Sequence, residues 1–338
     1  MDAVTRPIDT IPLIDRFGRQ VNYLRISVTD RCDFRCLYCM SEDMTFVPRK
    51  QILTLEELLF VARAFSELGV TKIRITGGEP LVRQNITWLL SEINKLDGIE
   101  ECVMTTNGSQ LPKLAQQLKQ AGVSRLNISL DSLDAERFKT LSRVGNLDNV
   151  LAGIDAAQQA GFDRIRINSV VLKNYNHEEV ADLVAFAVDR QLDIAFIEEM
   201  PLGLVDERNR AITYYSSDAI KQDLEKIYTL QADEKYLKGP ARYFRIPDTN
   251  TRVGFISPHS HNFCDQCNRV RLTPEGRLLL CLGQEHSVDL RDVVRSHPGD
   301  ISVLKQAIID SMAIKPKGHD FDLTTQPVIL RHMNMTGG

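Results

Sequence analysis

Three cysteines fall within eight residues, at Cys32, Cys36 and Cys39, and three more stand at Cys264, Cys267 and Cys281. Crowded thiols make a poor disulfide framework for a chain of 338 residues, and they suit metal or cluster ligation in a reducing compartment. A C-x3-C-x2-C triplet gives a thiolate to each of three irons of a cubane [4Fe-4S] cluster and leaves the fourth iron without a protein ligand. An open metal position is what separates a reactive site from a closed structural one. The competing reading is a structural zinc site with a distant fourth ligand such as His259 or His261. The second group, C-x2-C-x13-C, has the same open count, and zinc competes more strongly there because His259, His261 and His286 are near in sequence. Cys102 stands apart, and a buried strand cysteine is the plain account of it.

Other residues bear on the two triplets. Gly77-Gly78-Glu79-Pro80 follows a strand candidate; its glycines let backbone approach a ligand, and Glu79 with neighbouring carbonyls offers acceptors to an ammonium. Alone this is a turn. Together with the first triplet on the preceding loop it resembles the binding motif for S-adenosylmethionine (SAM) of the radical SAM superfamily. There SAM chelates the open iron and, on receiving an electron, yields a 5'-deoxyadenosyl radical. Tyr38 looks like the aromatic residue that contacts adenine in that motif. Asn268-Arg269-Val270-Arg271 lies between the later cysteines, and two arginines beside an iron–sulfur site suit a phosphorylated substrate, the alternative being a solvated strand face. Period-two alternation puts Arg25 on one face with Tyr23 and Ser27, and Arg74 with Lys72 and Thr76. Inward arginines are costly in a closed sheet unless they meet an anion. Arg166 has the same ambiguity of facing.

The elements that must position these residues are βα units. Strand candidates are Tyr23 to Val28, Lys72 to Thr76, Cys102 to Thr106, Arg125 to Leu130, Ile165 to Val171 and Asp193 to Glu198. Thr54 with Glu57 and Asn176 with Glu179 are helix-start signals, and Gly69, Gly122 and Gly161 close helices. Six such units imply a parallel sheet. Gly77 to Pro80, Thr105 to Asn107, Ser129, Asp131 and Met200 all lie at or beyond strand C-termini, which favours an incomplete (βα)6 TIM-type barrel whose strand ends form one mouth. A C-terminal extension then carries the second cysteine group. The division expected is an N-terminal segment over 1–20, the partial barrel over 21–201, and a region over 202–338 with short strands over 252–282, helices near 217–228, 289–296 and 301–312, and a double-glycine tail.

Bulk properties limit the partners. A hydrophobic content of 43% supports a large core, and a net charge of -4 disfavours a nucleic-acid or membrane-surface role. No apolar run reaches a bilayer span, and Asp2, Asp9 and Asp15 do not resemble a leader, so a cytoplasmic protein is expected.

With both triplets in place the chain resembles the GTP 3',8-cyclase family, the radical SAM enzymes that open molybdenum-cofactor biosynthesis, over nearly its whole length. The matching stretches run from Tyr23 to Cys32, Arg74 to Leu81, Thr105 to Gly108, Asn127 to Leu133 and Phe263 to Arg271, with Gly337-Gly338 at the end. The resemblance implies a SAM cluster on Cys32, Cys36 and Cys39, with Tyr38, Gly77, Gly78, Glu79, Ser129 and Met200 about SAM. It implies a second [4Fe-4S] cluster on Cys264, Cys267 and Cys281, whose open iron takes the guanine of GTP. Arg25, Arg74, Thr105, Arg166, Arg269, Val270 and Arg271 fall around GTP, Arg269 and Arg271 take part in catalysis, and the tail reaches the active site. GTP becomes (8S)-3',8-cyclo-7,8-dihydroguanosine 5'-triphosphate. Further partners implied are an electron donor such as flavodoxin or ferredoxin, a second copy in a homodimer, and cyclic pyranopterin monophosphate synthase downstream. Arg166 stands where the family usually has Lys, Ala195 where an Arg often precedes Phe-Ile-Glu, and Ser41 where a proline commonly follows Cys-Met. The competing functions are a radical SAM enzyme that modifies peptides or small molecules with an auxiliary cluster, and a non-catalytic paralogue that binds SAM or nucleotide.

Overall fold

The computed structural model describes residues 12–205, 209–233, 239–323 and 329–337. Gly338 and residues 1–11, Asp2 and Asp9 among them, lie outside the described residues. The six expected strands form as β1 (Tyr23–Ser27), β2 (Lys72–Thr76), β3 (Glu101–Thr106), β4 (Arg125–Ser129), β5 (Ile165–Val171) and β6 (Asp193–Glu198). Between them run α1 (Leu55–Glu67), α2 (Ile86–Ile93), α3 (Leu111–Gln120), α4 (Ala135–Ser142), α5 (Leu147–Gln159) and α6 (Val180–Asp189).

Local chemistry accounts for the helix ends. Thr54 caps α1 through a reciprocal box with Glu57: the Glu57 amide donates to Thr54 Oγ1 at 3.1 Å and the Thr54 amide to Glu57 Oε2 at 2.7 Å. The signal at Asn176 has a different outcome. Asn176 is fully buried; its amide donates to the carbonyls of Asp131 and Val170 at 2.8 and 2.9 Å and its oxygen accepts from the Leu172 amide. A side chain tying the ends of β4 and β5 together is unavailable as a cap, and α6 starts later, at Val180, after a 3-10 turn.

The sheet does not stop where the βα alternation stops. β9 (Arg252–Ile256) adds in parallel to β6, and β10 (Arg269–Leu272) adds in parallel to β1. The order is β12-β11-β10-β1-β2-β3-β4-β5-β6-β9-β8-β7, with β7 (Gln231–Ala232), β8 (Ala241–Arg245), β11 (Arg277–Leu279) and β12 (Ser287–Asp289) as antiparallel borders. The 202–338 region thus extends the six-stranded partial barrel at both edges.

Alternation along these strands divides the protein into two environments. Leu24, Ile26, Ile73, Ile75, Leu126 and Ile128 are fully buried in the core between sheet and helices, with Cys102 among them. Their sequence neighbours Tyr23, Arg25, Arg74, Arg125 and Asn127 face inward. A barrel lumen is ordinarily filled by branched apolar side chains; this one is lined by cations.

Candidate functional site

The two triplets stand at opposite ends of the barrel. Cys32, Cys36 and Cys39 follow β1, whereas Cys264 and Cys267 precede β10, which runs parallel to β1. β1 is five residues long, roughly 15 Å at the rise of a strand. The arginines occupy the lumen between.

At the C-terminal ends of the strands, a cavity of about 150 Å³ is lined by Cys32, Cys36, Cys39, Tyr38, Gly77, Gly78, Ser129 and Met200. Asp33, next to the first cysteine, accepts from Asn107 Nδ2 at 2.7 Å and Ser109 Oγ at 2.6 Å, which pins the cysteine loop to the end of β3. Gly78 is required by close approach: a Cβ there would lie 2.5 Å from the Arg31 carbonyl. Glu79 is not brought to this cavity. Its carboxylate is fully buried and accepts from the amides of Leu81 and Asn107 and from Thr106 Oγ1, and burial pushes it up to about 8. It ties the glycine loop to β3, both carboxylate oxygens being engaged. Tyr38 donates to Asp131 Oδ2 at 2.7 Å, while Asp131 Oδ1 accepts from the Val170 amide. Asp131, placed at a strand end by the sequence but given no role there, thereby anchors the loop carrying Cys36 and Cys39.

The lumen cavity, about 660 Å³, is lined by eight basic side chains and only two carboxylates, Glu101 and Asp163. Cys264, Cys267 and Cys281 line it from below. Arg125 pairs with Glu101 at 2.8 Å and Arg164 with Asp193 at 3.0 Å, whereas Arg74, Arg166 and Arg271 donate to side chains other than carboxylates or to backbone carbonyls. Arg74 donates to Thr105 Oγ1 at 3.0 Å, Arg166 to Asn168 and Tyr243, and Arg271 to the carbonyls of Thr336 and Gly337. Arg74 also donates to the Tyr23 phenol at 2.5 Å. Arg269 is 9% exposed, and its Nε has no partner among the described residues. Val270 differs from its neighbours, since it packs in the hydrophobic core while also bordering the cavity.

This density of charge leaves a mark on the titrations. Burial, then Arg25 and Arg269, push Arg271 well below the usual guanidinium range, and burial brings Arg25 down to about 10. Burial alone would raise Tyr23, but Arg74, Arg25 and Lys72 overcome it and hold the phenol at about 6. Guanidinium groups keep their protons, so the lumen carries like-charge repulsion that an anion relieves. Tyr23, two residues before Arg25 on the same face, is the site residue the sequence signalled without identifying. Ala195 is fully buried against Ala241 and Ile256; nearby Tyr243 fills the space above Gly254 and meets Arg166.

Both triplets fit iron–sulfur ligation. All seven cysteines are free, and each triplet lines one cavity. Burial pushes Cys39 up to about 12 and raises Cys32 and Cys36 further, so three thiolates there call for cationic iron. Among the described residues no three His, Cys, Asp or Glu side chains, the two triplets included, converge closely on one point. The ring of His259 is engaged by the Glu199 carbonyl and that of His261 by Asp218. The cavities adjoin: Thr105, Asn168, Ile197, Met200 and Arg271 line both. The tail lies at this junction, where the Met333 amide donates to the Cys39 carbonyl at 3.1 Å.

Comparison with known proteins places these features in a family. Residues 26–187 match the radical SAM superfamily model and residues 192–321 the model described as Molybdenum Cofactor Synthesis C. The chain is 62% identical over 327 residues to the GTP 3',8-cyclase of Pseudomonas putida (strain W619), and 57% over 326 residues to that of Saccharophagus degradans. Each alignment covers 96% of this chain and 98% of the relative. Among solved structures, Streptococcus suis SuiB superposes with a TM-score of 0.63 at 17% identity, covering 86% of this chain and 67% of SuiB, which shows the shared fold.

Proposed function

The chain belongs to the GTP 3',8-cyclase family of radical SAM enzymes, and from that premise we propose how its residues divide the conversion of GTP to (8S)-3',8-cyclo-7,8-dihydroguanosine 5'-triphosphate. The protein uses SAM and iron–sulfur chemistry in molybdenum-cofactor biosynthesis. Cys32, Cys36 and Cys39 hold the cluster that binds SAM, with Tyr38, Gly77, Gly78, Ser129 and Met200 shaping the pocket around it. Cys264, Cys267 and Cys281 hold a second [4Fe-4S] cluster that takes the guanine. The observation that carries this reading is the arginine-lined lumen shared between the two triplets.

A cluster held by Cys32, Cys36 and Cys39 with SAM bound would supply the radical chemistry that acts at the 3' hydrogen of GTP. The protein's own work is positional. Arg25, Arg74 and Arg166 are suited to the triphosphate, Thr105 orients Arg74, and Arg269 with Arg271, which line the same cavity, would assist the ring-closing stage. Enclosure of the reacting ribose within the barrel excludes water from the radical stage. Boundaries at about residues 20 and 201 separate the N-terminal segment, the SAM-binding barrel and the region with the second triplet. The reading includes a flavodoxin- or ferredoxin-type electron donor, a homodimer, cyclic pyranopterin monophosphate synthase as the next enzyme, and a cytoplasmic location, where reducing conditions preserve thiolate ligands.

Anaerobically reconstituted protein given SAM, dithionite and GTP tests the assignment: 5'-deoxyadenosine and the cyclised nucleotide should form together. SAM cleavage with GTP intact would contradict it in favour of another radical SAM substrate, and binding without cleavage in favour of a non-catalytic paralogue.

A further inference from the structure

We propose that Arg19 and Lys315 are positioning residues for the second cluster, two buried cations that hold all three chain segments bearing Cys264, Cys267 and Cys281. The inference rests on the reading that these cysteines carry a cluster.

None of the three cysteines is in an α-helix or a strand: Cys264 opens a 3-10 turn, Cys267 ends it, and Cys281 follows β11. Something other than regular hydrogen bonding must fix them. Arg19 comes from the N-terminal segment and is 9% exposed. Asp15 orients it, accepting from Nε at 2.6 Å and from the Arg19 amide at 3.0 Å. The remaining donors reach across the molecule: Nη1 to the carbonyls of Cys264 and Lys317 at 2.7 and 2.6 Å, and Nη2 to that of Pro316 at 2.6 Å. The planar fork spans three carbonyls at once, which an ammonium on a flexible stem could not do.

Lys315 is 1% exposed, so its charge sits in the interior. Its Nζ donates to the Leu280 carbonyl at 2.6 Å and to the Arg269 carbonyl at 3.2 Å, and lies 3.8 Å from Cys267 Sγ. Leu280 immediately precedes Cys281, and Arg269 is two residues after Cys267. Two of the three partners are backbone carbonyls and none is a carboxylate, and a buried ammonium without a counter-charge is costly. A cubane with three thiolates is anionic and becomes more so on reduction, so it supplies the missing charge. Hydrogen bonds and positive charge at cluster sulfurs raise the reduction potential. Lys315 and the Pro316–Lys317 carbonyls held by Arg19 are consecutive, so the two cations act on one clamp.

The test uses full-length protein reconstituted with iron and sulfide in two parental forms. One has Cys32, Cys36 and Cys39 replaced by Ser, so that only the second cluster reports; the other has Cys264→Ser, so that only the first does. In the first parent, Lys315→Met should leave a cluster whose midpoint potential, followed by electron paramagnetic resonance, moves to a more negative value. Arg19→Lys should speed iron loss to a chelator about tenfold or more, in the range expected for outer-shell partners. In the second parent, neither substitution should change iron content. An unmoved midpoint together with unchanged iron retention, or equal loss in both parents, overturns the inference. If the first parent binds no iron at all, the second-cluster reading fails instead.

Discussion

Arg25 on β1 and Arg271 on β10 are register neighbours on adjacent parallel strands, and both donate to the carbonyl of Gly337. Two strands separated by more than 240 residues in sequence are thereby joined to the tail at the centre of the lumen. Gly337 has a φ of +74°, and a Cβ on it would run into Thr76 Oγ1. Gly337→Ala must displace the tail. Loss of charge-assisted bonds worth about 1.5–3 kcal/mol should lower cyclised product roughly ten- to a hundredfold with iron content unchanged. Product yield per 5'-deoxyadenosine formed is the measurement.

Arg74 reaches the lumen from β2, held by the Tyr23 phenol and Thr105 Oγ1 and by no carboxylate hydrogen bond, which leaves it able to serve a phosphate. Arg74→Ala should weaken GTP binding by about 1.5–3 kcal/mol, roughly ten- to a hundredfold, with SAM binding unaffected. Anaerobic equilibrium binding of each ligand checks both parts.

Tyr23 yields a prediction about pH. Its folded-state value, about 6, lies below the ordinary phenol value of 10.0. Between those limits the unfolded chain holds a proton that the folded chain has released, so stability rises with pH across the window. The contribution is full above about 10 and is lost as pH falls through 6. Ligand-free protein should therefore gain melting temperature relative to Tyr23→Phe as pH climbs from 6 toward 9. A constant difference would mean that the phenol stays protonated.

Iron counting tests the division between the triplets. Native reconstituted protein should hold about eight irons and eight sulfides per chain, and Cys264→Ser about four. Four in the native protein would leave the second triplet without a cluster.

Much of this architecture is legible in the sequence because period-two and period-3.6 patterning is local. The six strands and the Thr54–Glu57 cap need only neighbours within a few residues. The inward facing of Arg25 and Arg74 follows from alternation once the sheet is curved. What local patterning does not encode is pairing at long range. β10 is four residues long and gives no sign that its partner is β1, so the opposite placement of the two triplets emerges only from the fold. Side-chain partners are hidden for the same reason. The carboxylate partners of Glu79, Thr106 and the Asn107 amide, are not visible in the sequence, and Asn176 resembles a cap until Asp131 and Val170 are brought to it. Arg19 sits in a segment with no visible motif, and its carbonyl partners lie about 245 to 300 positions away.

The central claim is that this lumen holds GTP with its ribose facing the SAM pocket. GTP carrying deuterium at C3', incubated anaerobically with the reconstituted enzyme, SAM and dithionite, tests it most directly. One deuterium should appear in the 5'-deoxyadenosine and none should remain at C3' of the cyclised product. 5'-Deoxyadenosine without label, with deuterium retained in the nucleotide, would contradict it.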